Sequence, residues 1–100
     1  MDRRARHEIL DRLDAETWVA LAIEHLPGLR QRGAADYWAL CPVHPHEGVE
    51  TLHVREDRLL FKCFAPGCVA GGPIELLKQI RGLTEDEALA LLAKRVGLDG

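Results

Sequence analysis

Hydrophobic residues recur at helical spacing in the first quarter of the chain. Within residues 2–13 the apolar positions Ile9, Leu10 and Leu13 predict one helix. Asp14 is suited to cap a second helix, which should end before Pro27-Gly28. Four apolar residues are predicted to share one side of this second helix: Trp18, Val19, Ala22 and Ile23. Two helices are therefore expected to open the fold.

Short segments in the middle of the chain predict two β-hairpins. The first pairs residues 29–32 with residues 37–40, and the second pairs residues 51–54 with residues 59–62 across a polar turn at 55–58. The first hairpin leads directly into Cys41, and the second ends at Cys63. Strand ends should therefore deliver both cysteines.

The last quarter of the chain again shows helical spacing. Pro73 suits the first position of a helix, and Gly82 suits its carboxyl end. The segment from Thr84 to Glu87 has the sequence of a capping box and predicts the start of a further helix. The apolar stripes of these two helices are Ile74, Leu77 and Ile80, then Ala88, Leu89, Leu91, Leu92 and Val96.

Composition limits the class of protein. A chain of 100 residues with 47% hydrophobic and 29% charged residues is typical of one globular domain. Its apolar stretches are too short to span a bilayer and its first residues do not form a signal peptide, so we expect a cytoplasmic protein without membrane contact. The net charge of -3 gives no general attraction for nucleic acid, so any DNA contact must be local.

Four residues have the spacing of a metal site. Cys41 and His44 form a C-x2-H pair, and after 18 residues Cys63 and Cys68 form a C-x4-C pair. Three cysteines cannot form a closed disulfide framework, whereas tetrahedral Cys3His ligation is a usual structural zinc set. We therefore predict one structural Zn2+ held by Cys41, His44, Cys63 and Cys68.

Other interpretations of these residues remain open. His46 could replace His44 as the fourth ligand, and the cysteines could be buried without any metal. A catalytic zinc is a further alternative, with Glu47 as proton shuttle, although four protein ligands would close the site to water.

The predicted ribbon has few large apolar groups, so zinc binding should supply much of its stability. The expected architecture is an α+β fold in which a small zinc ribbon of short antiparallel hairpins is flanked by helices. We expect residues 1–100 to form a single zinc-binding domain, with a helical lead-in at 1–28, the ribbon at 29–72 and two helices at 73–100.

The stretch Cys41-Pro42-Val43-His44, together with Phe61-Lys62-Cys63-Phe64 and Cys68, resembles the CHC-type zinc-binding domain of bacterial DnaG-type DNA primases. The resemblance covers about four fifths of the chain, through the Gly72-Pro73-Ile74 helix start. The chain departs from the family where Cys63 and Cys68 enclose four residues instead of two, and where Val49-Glu50-Thr51 replaces a Thr-Pro-Ser.

The resemblance implies a function in RNA primer synthesis. Such a ribbon contacts single-stranded template DNA and works with a separate primase catalytic module and other replication proteins. That module is missing from these 100 residues, so the chain by itself is expected not to be an enzyme. The alternative is a protein-interaction adaptor of a replication or transcription complex.

Aromatic and basic residues on or beside the predicted strands are the candidate DNA contacts, since single strands bind by base stacking and phosphate contacts. Trp38 and Phe61 could instead pack against the helices, and the basic residues could form a solvated face. The candidates are Arg30, Arg32, Trp38, His53, Arg55, Arg58, Phe61 and Lys62.

Overall fold

The computed structural model describes residues 3–43, 48–64 and 68–98, and for Arg3 it describes the backbone alone. Within these ranges the chain forms four helices and five strands, which confirms the predicted α+β class. In chain order the elements are α1 (Arg3–Arg12), α2 (Ala15–His25), β1 (Arg30–Gln31), β2 (Asp36–Ala39), β3 (Leu52–Arg55), β4 (Leu60–Cys63), β5 (Ala70–Gly71), α3 (Pro73–Arg81) and α4 (Glu85–Arg95).

Local sequence signals set the ends of the helices. The Asp14 carboxylate accepts a hydrogen bond from the backbone N–H of Thr17 at 2.7 Å, which caps α2. Thr84 and Glu87 form the predicted capping box of α4, with bonds of 2.9 and 3.1 Å. Gly82 ends α3 in the left-handed conformation at φ 71°. These three predictions are confirmed. Each could be made from the sequence because it depends on neighbouring residues alone.

The five strands form one antiparallel sheet in the order β1-β2-β3-β4-β5, so β2 and β3 join the two predicted hairpins. Alternation along each strand gives the sheet two distinct faces. One face is apolar and buried, with Ala39, Leu52, Val54, Phe61 and Cys63 at 2% exposure or less. The opposite face carries one cross-strand row of residues from β1 to β5: Arg30, Trp38, His53, Lys62 and Ala70.

Helix α2 packs on the buried face of the sheet, α3 contacts β5, α2 and α4, and α1 contacts α4. The Trp18 side chain of α2 is fully buried, with its ring centroid 6.5 Å from that of Phe61. Its indole N–H donates to the backbone carbonyl of Arg55 at 3.1 Å, so one residue supplies both an apolar and a polar contact between helix and sheet.

The predicted apolar side of α2 is wrong at one position. Ile23 is 55% exposed, whereas Leu21, which was not in the predicted set, is fully buried. Positions 18, 21 and 22 follow the i, i+3, i+4 spacing of one helical face, and position 23 lies to the side of it.

Two features of the sheet differ from the sequence-based expectation. The second turn occupies residues 56–59 instead of 55–58, because Arg55 continues β3 and pairs with Leu60. Leu59 closes this turn at φ 51°. Strand β5 was not predicted, since its Ala70-Gly71 sequence has no strand pattern and its extended form depends on pairing with β4.

None of the helices in the described ranges is both long enough and apolar enough to cross a membrane.

Candidate functional site: metal centre and sheet face

Three cysteines from distant parts of the sequence converge at one end of the sheet. Their sulfur atoms all lie within 4.8 Å of one another, and the Sγ atoms of Cys41 and Cys68 are 3.5 Å apart. Cys41 and Cys63 are buried, and Cys68 is half-buried. The structure therefore brings together the three cysteines that the sequence selected.

The sheet holds each cysteine in place. Cys41 follows the end of β2, and Cys63 is the last residue of β4. The backbone N–H of Cys63 donates to the carbonyl of Val69 at 2.9 Å, which ties the two ends of the Cys63–Cys68 segment together. The Thr51 hydroxyl lies 3.3 Å from the Cys63 sulfur and belongs to the surroundings of the site.

The donor set fits zinc. With Zn–S bonds of about 2.3 Å, two sulfurs of a tetrahedral site lie about 3.8 Å apart. The 3.5 Å between the Cys41 and Cys68 sulfurs is close to that value, and the 4.8 Å limit on the others requires only a small movement. Clustered thiols favour zinc over magnesium or calcium, which prefer oxygen ligands.

The fourth predicted ligand, His44, lies outside the described residues, as do its alternative His46 and the possible proton shuttle Glu47. Without a metal ion, burial and a hydrogen bond between the Cys68 and Cys63 side chains that favours the protonated thiol raise the pKa of Cys68 to about 12. Metal binding must therefore displace protons from this cluster, because thiolates are the ligands.

Three rings lie together on the exposed face of the sheet. Trp38 of β2 stacks on His53 of β3 at 4.5 Å between ring centroids. Phe64, just after β4, lies 5.7 Å from Trp38 and 6.0 Å from His53, with all three rings within 29° of parallel. We call Trp38, His53 and Phe64 the aromatic cluster.

Two aromatic residues differ from the sequence-based expectation for the site. Phe64 is 55% exposed but was not among the predicted contacts. It lies beyond the end of the strand, so the alternation of side chains along the strand does not indicate which way its ring points. Phe61 was among them, but it is 2% exposed and packs on the helical side of the sheet. Its ring offers no accessible face for a base, and only its position next to Lys62 relates it to the exposed surface.

Three of the candidate basic residues are engaged by carboxylates. Glu50 accepts hydrogen bonds from Arg30 at 2.8 and 3.2 Å and from Arg32 at 3.3 Å. The Arg30 guanidinium holds the pKa of the Glu50 carboxyl below its usual range. Arg55 donates to both carboxylate oxygens of Asp57, each at 3.1 Å.

His53 is also held by an acid. Its Nε2 lies 2.7 Å from Oδ1 of Asp36, and the same oxygen is 3.4 Å from Nε of Arg55. These contacts fix the imidazole beside Trp38. The positions of Asp36 and Glu50 carry no sequence signal for this pairing, since the contacts arise only when β1, β2 and β3 adopt their register.

Arg58 and Lys62 have a different environment. Neither forms an ion pair with any residue in the described ranges, and the Lys62 ammonium lies 5.5 Å from the centroid of the Phe64 ring. Both line an open depression of about 480 Å³ on the exposed face, together with His53, Arg55, Leu60, Phe61, Phe64, Ala70 and Gly71.

The sequence matches known proteins over nearly all of its length. The DNA primases of Treponema pallidum, Halalkalibacterium halodurans and Thermotoga maritima are 35%, 33% and 32% identical to it over 91, 99 and 93 residues. These alignments cover 91%, 98% and 92% of the chain but only 14%, 16% and 16% of the three primases. The chain thus corresponds to a small part of these relatives.

The model of one protein family, the CHC2 zinc finger of DnaG-type proteins, matches residues 5–100. Within the described ranges this match covers α1 from residue 5 onward, the other three helices, the sheet and the three clustered cysteines. The chain therefore belongs to the CHC2 zinc-finger family and is a zinc domain of the DnaG primase type.

Proposed function

We propose that this chain is a non-catalytic module of a DNA primase that binds single-stranded template DNA through the exposed face of its sheet. The observation that supports this most directly is the aromatic cluster, a set of near-parallel rings next to basic side chains that form no ion pair with another described residue. Proteins bind single strands by stacking bases on such rings while cations contact the phosphates.

In this proposal the zinc ion has a structural role. One Zn2+ would be held by Cys41, Cys63, Cys68 and His44, and it would fix the ends of β2 and β4 without taking part in chemistry. Because these strands also carry Trp38 and Lys62, the metal would hold the DNA-binding face in shape. Primer synthesis itself would belong to a catalytic module, and the relatives named DNA primase are long enough to contain one.

The DNA-binding proposal is tested with Phe64→Ala. Loss of one stacking ring is worth about 1–3 kcal/mol, so the dissociation constant for a single-stranded oligonucleotide should rise roughly 5- to 150-fold. Ile23→Ala is a matched control, since Ile23 is equally exposed at 55% but lies on α2. Fluorescence anisotropy of a labelled oligonucleotide at low salt measures both variants.

The same assay can contradict the proposal. If the wild-type protein binds no single-stranded DNA at low salt, alone or with a primase catalytic module, the interaction adaptor becomes the better function. An equal loss of oligonucleotide affinity in Phe64→Ala and Ile23→Ala would show that the exposed sheet face is not the binding surface.

The fourth zinc ligand is tested by comparing His44→Gln with His46→Gln. We expect His44→Gln to lower the zinc content or the zinc affinity, because three thiolates alone leave the coordination open, and we expect His46→Gln to leave both unchanged. Metal analysis after dialysis against a competing chelator measures the difference. The reverse result would assign the fourth position to His46.

A further inference from the structure

The exposed face of the sheet is divided electrostatically into two halves. The cross-strand row that runs through Trp38 and His53 has a basic residue toward each end, Arg30 on β1 and Lys62 on β4. Both side chains are exposed, but they differ in their partners. Arg30 lies against Glu50, and Lys62 lies beside the Phe64 ring.

At the β1 end, carboxylate pairing reduces the available positive charge. Glu50 accepts from both Arg30 and Arg32 and is itself only 19% exposed, so its position is well defined. A phosphate that approached either arginine would have to displace this carboxylate or bind beside it. The pairing therefore weakens the attraction of this end for a strand.

The middle of the face is also neutralised. Both carboxylate oxygens of Asp57 are engaged by Arg55, and Asp36 contacts His53 and Arg55. Arg58 lies close enough to help lower the pKa of the Asp57 carboxyl, yet it forms no ion pair within the described part of the chain.

At the β4 end, the geometry favours a nucleotide. The depression of about 480 Å³ is lined by the cations Arg58 and Lys62, which have no ion-pair partner among the described residues, and by the exposed ring of Phe64 and the apolar surface of Leu60. Positive charge and a stacking surface therefore lie within one concave site, which is the combination that binds a phosphate and its base.

We infer that a bound single strand places its phosphates on Arg58 and Lys62 at the β4–β5 side of the sheet, and that Glu50 suppresses phosphate binding by Arg30 and Arg32 at the β1 side. This inference rests on the proposed function and adds to it the side of the sheet along which the phosphate backbone of the DNA lies. The ligand is the phosphate backbone of a single strand, and its bases stack on the aromatic cluster.

The test compares salt dependence among matched variants of the full chain. Each phosphate neutralised by a cation contributes about -0.7 to the slope of log K against log salt for single strands. We expect Lys62→Gln and Arg58→Gln each to reduce the magnitude of the slope by about 0.7, while Arg30→Gln leaves it unchanged. Lys62 and Arg30 lie toward opposite ends of the same cross-strand row, so this pair is the matched comparison.

Glu50→Gln tests the suppression directly. Removal of the carboxylate charge should strengthen binding at low salt and steepen the slope by about 0.7 to 1.4, because Arg30 alone, or both Arg30 and Arg32, would lose the carboxylate partner. Addition of Arg30→Gln to this variant should reverse part of the gain. Equal zinc content and equal thermal melting among the variants would show that the fold is intact.

The outcomes separate this inference from the proposed function. Absence of any binding by the wild-type protein would overturn both. Binding by the wild-type protein with a slope that depends on Arg30 and not on Lys62 would overturn the inference alone, and so would an unchanged slope in Glu50→Gln.

Discussion

At the scale of single residues, His25 at the end of α2 is distinguished by its two buried ring nitrogens. Both ring nitrogens are inaccessible to solvent and make no hydrogen bond within the described structure. Burial lowers the pKa of His25 from 6.5, and Arg81 on α3 and Arg95 on α4 lower it further, while Glu24 opposes them. The imidazole is therefore held neutral where α2 meets these charges.

This environment predicts a specific dependence of stability on pH. Because the folded-state pKa of His25 lies below the unfolded value, the unfolded chain binds the proton first as the pH falls. The contribution of the neutral His25 imidazole to the free energy of unfolding should be fully present above pH 6.5. It should decrease below that pH, until the pH passes the folded-state pKa. Thermal melting between pH 5 and pH 8, about the interval in which a histidine titrates, measures this decrease.

The variant His25→Leu isolates this contribution. Leucine has a similar volume and no proton to bind, so we expect the decrease below pH 6.5 to become smaller than in the wild-type protein. His7→Gln is the control, since His7 is 80% exposed on α1. Acid also releases zinc from thiolates, and this release should be common to all three proteins. Equal pH profiles for wild type and His25→Leu would contradict the prediction.

At the scale of elements, two glycines on either side of α3 have different functions. Gly82 ends the helix at φ 71°, and a Cβ added there would meet no atom within 4 Å. Gly71 in β5 has φ 144°, and a Cβ there would collide with the Cβ and Cγ atoms of Glu75. Glu75 cannot move freely, because its carboxylate accepts from the backbone N–H of Gly72 at 2.8 Å at the start of α3.

The two substitutions to alanine should therefore differ in effect. Gly82→Ala should cost roughly 1–2 kcal/mol in the free energy of unfolding, from the left-handed backbone alone. Gly71→Ala should cost more, about 2–4 kcal/mol, because the collision adds to the backbone strain and separates β5 from α3. Urea unfolding at saturating zinc measures both values. A larger effect at Gly82 would show that the β5–α3 junction can accommodate a methyl group at position 71.

The elements also show how far the sequence predicts this fold. Asp14, Gly82 and the Thr84–Glu87 box act within one turn of a helix, so their effects can be predicted from neighbouring residues. Strand β5 could not be predicted, because its two residues are extended only by pairing with β4. The burial of Leu21 instead of Ile23 depends on which face of α2 meets the sheet.

In the candidate site too, some features can be predicted from the sequence and others depend on contacts between distant residues. Cysteine spacing indicated Cys41, Cys63 and Cys68, since each lies at or near the end of an element and the hairpin returns the chain to the same place. The neutralisation of Arg30 by Glu50 depends on contacts across 20 residues of sequence. Sequence patterns identify a basic residue but do not reveal whether a carboxylate lies beside it.

At the scale of the whole molecule, the cysteine cluster and the helices share one hydrophobic core. Cys41 and Cys63 belong to the same buried cluster as Trp18, Leu77 and Leu92, which lie on α2, α3 and α4. Structural zinc in small domains contributes on the order of 10 kcal/mol or more, comparable to the total stability of a typical domain. Loss of the metal should therefore affect the helices as well as the sheet.

Removal of zinc by a strong chelator is expected to unfold the protein in a single transition. The variant Trp38→Phe leaves Trp18 as the remaining tryptophan. Trp18 is fully buried, and its indole N–H donates a hydrogen bond to the Arg55 carbonyl across the helix–sheet contact. Its fluorescence should change in parallel with the helical circular dichroism as zinc is withdrawn, and restored zinc should reverse both signals. If helical circular dichroism and the Trp18 signal instead persisted after the metal had left, the core would be stable without zinc, and the metal would serve only the end of the sheet that holds the cysteines.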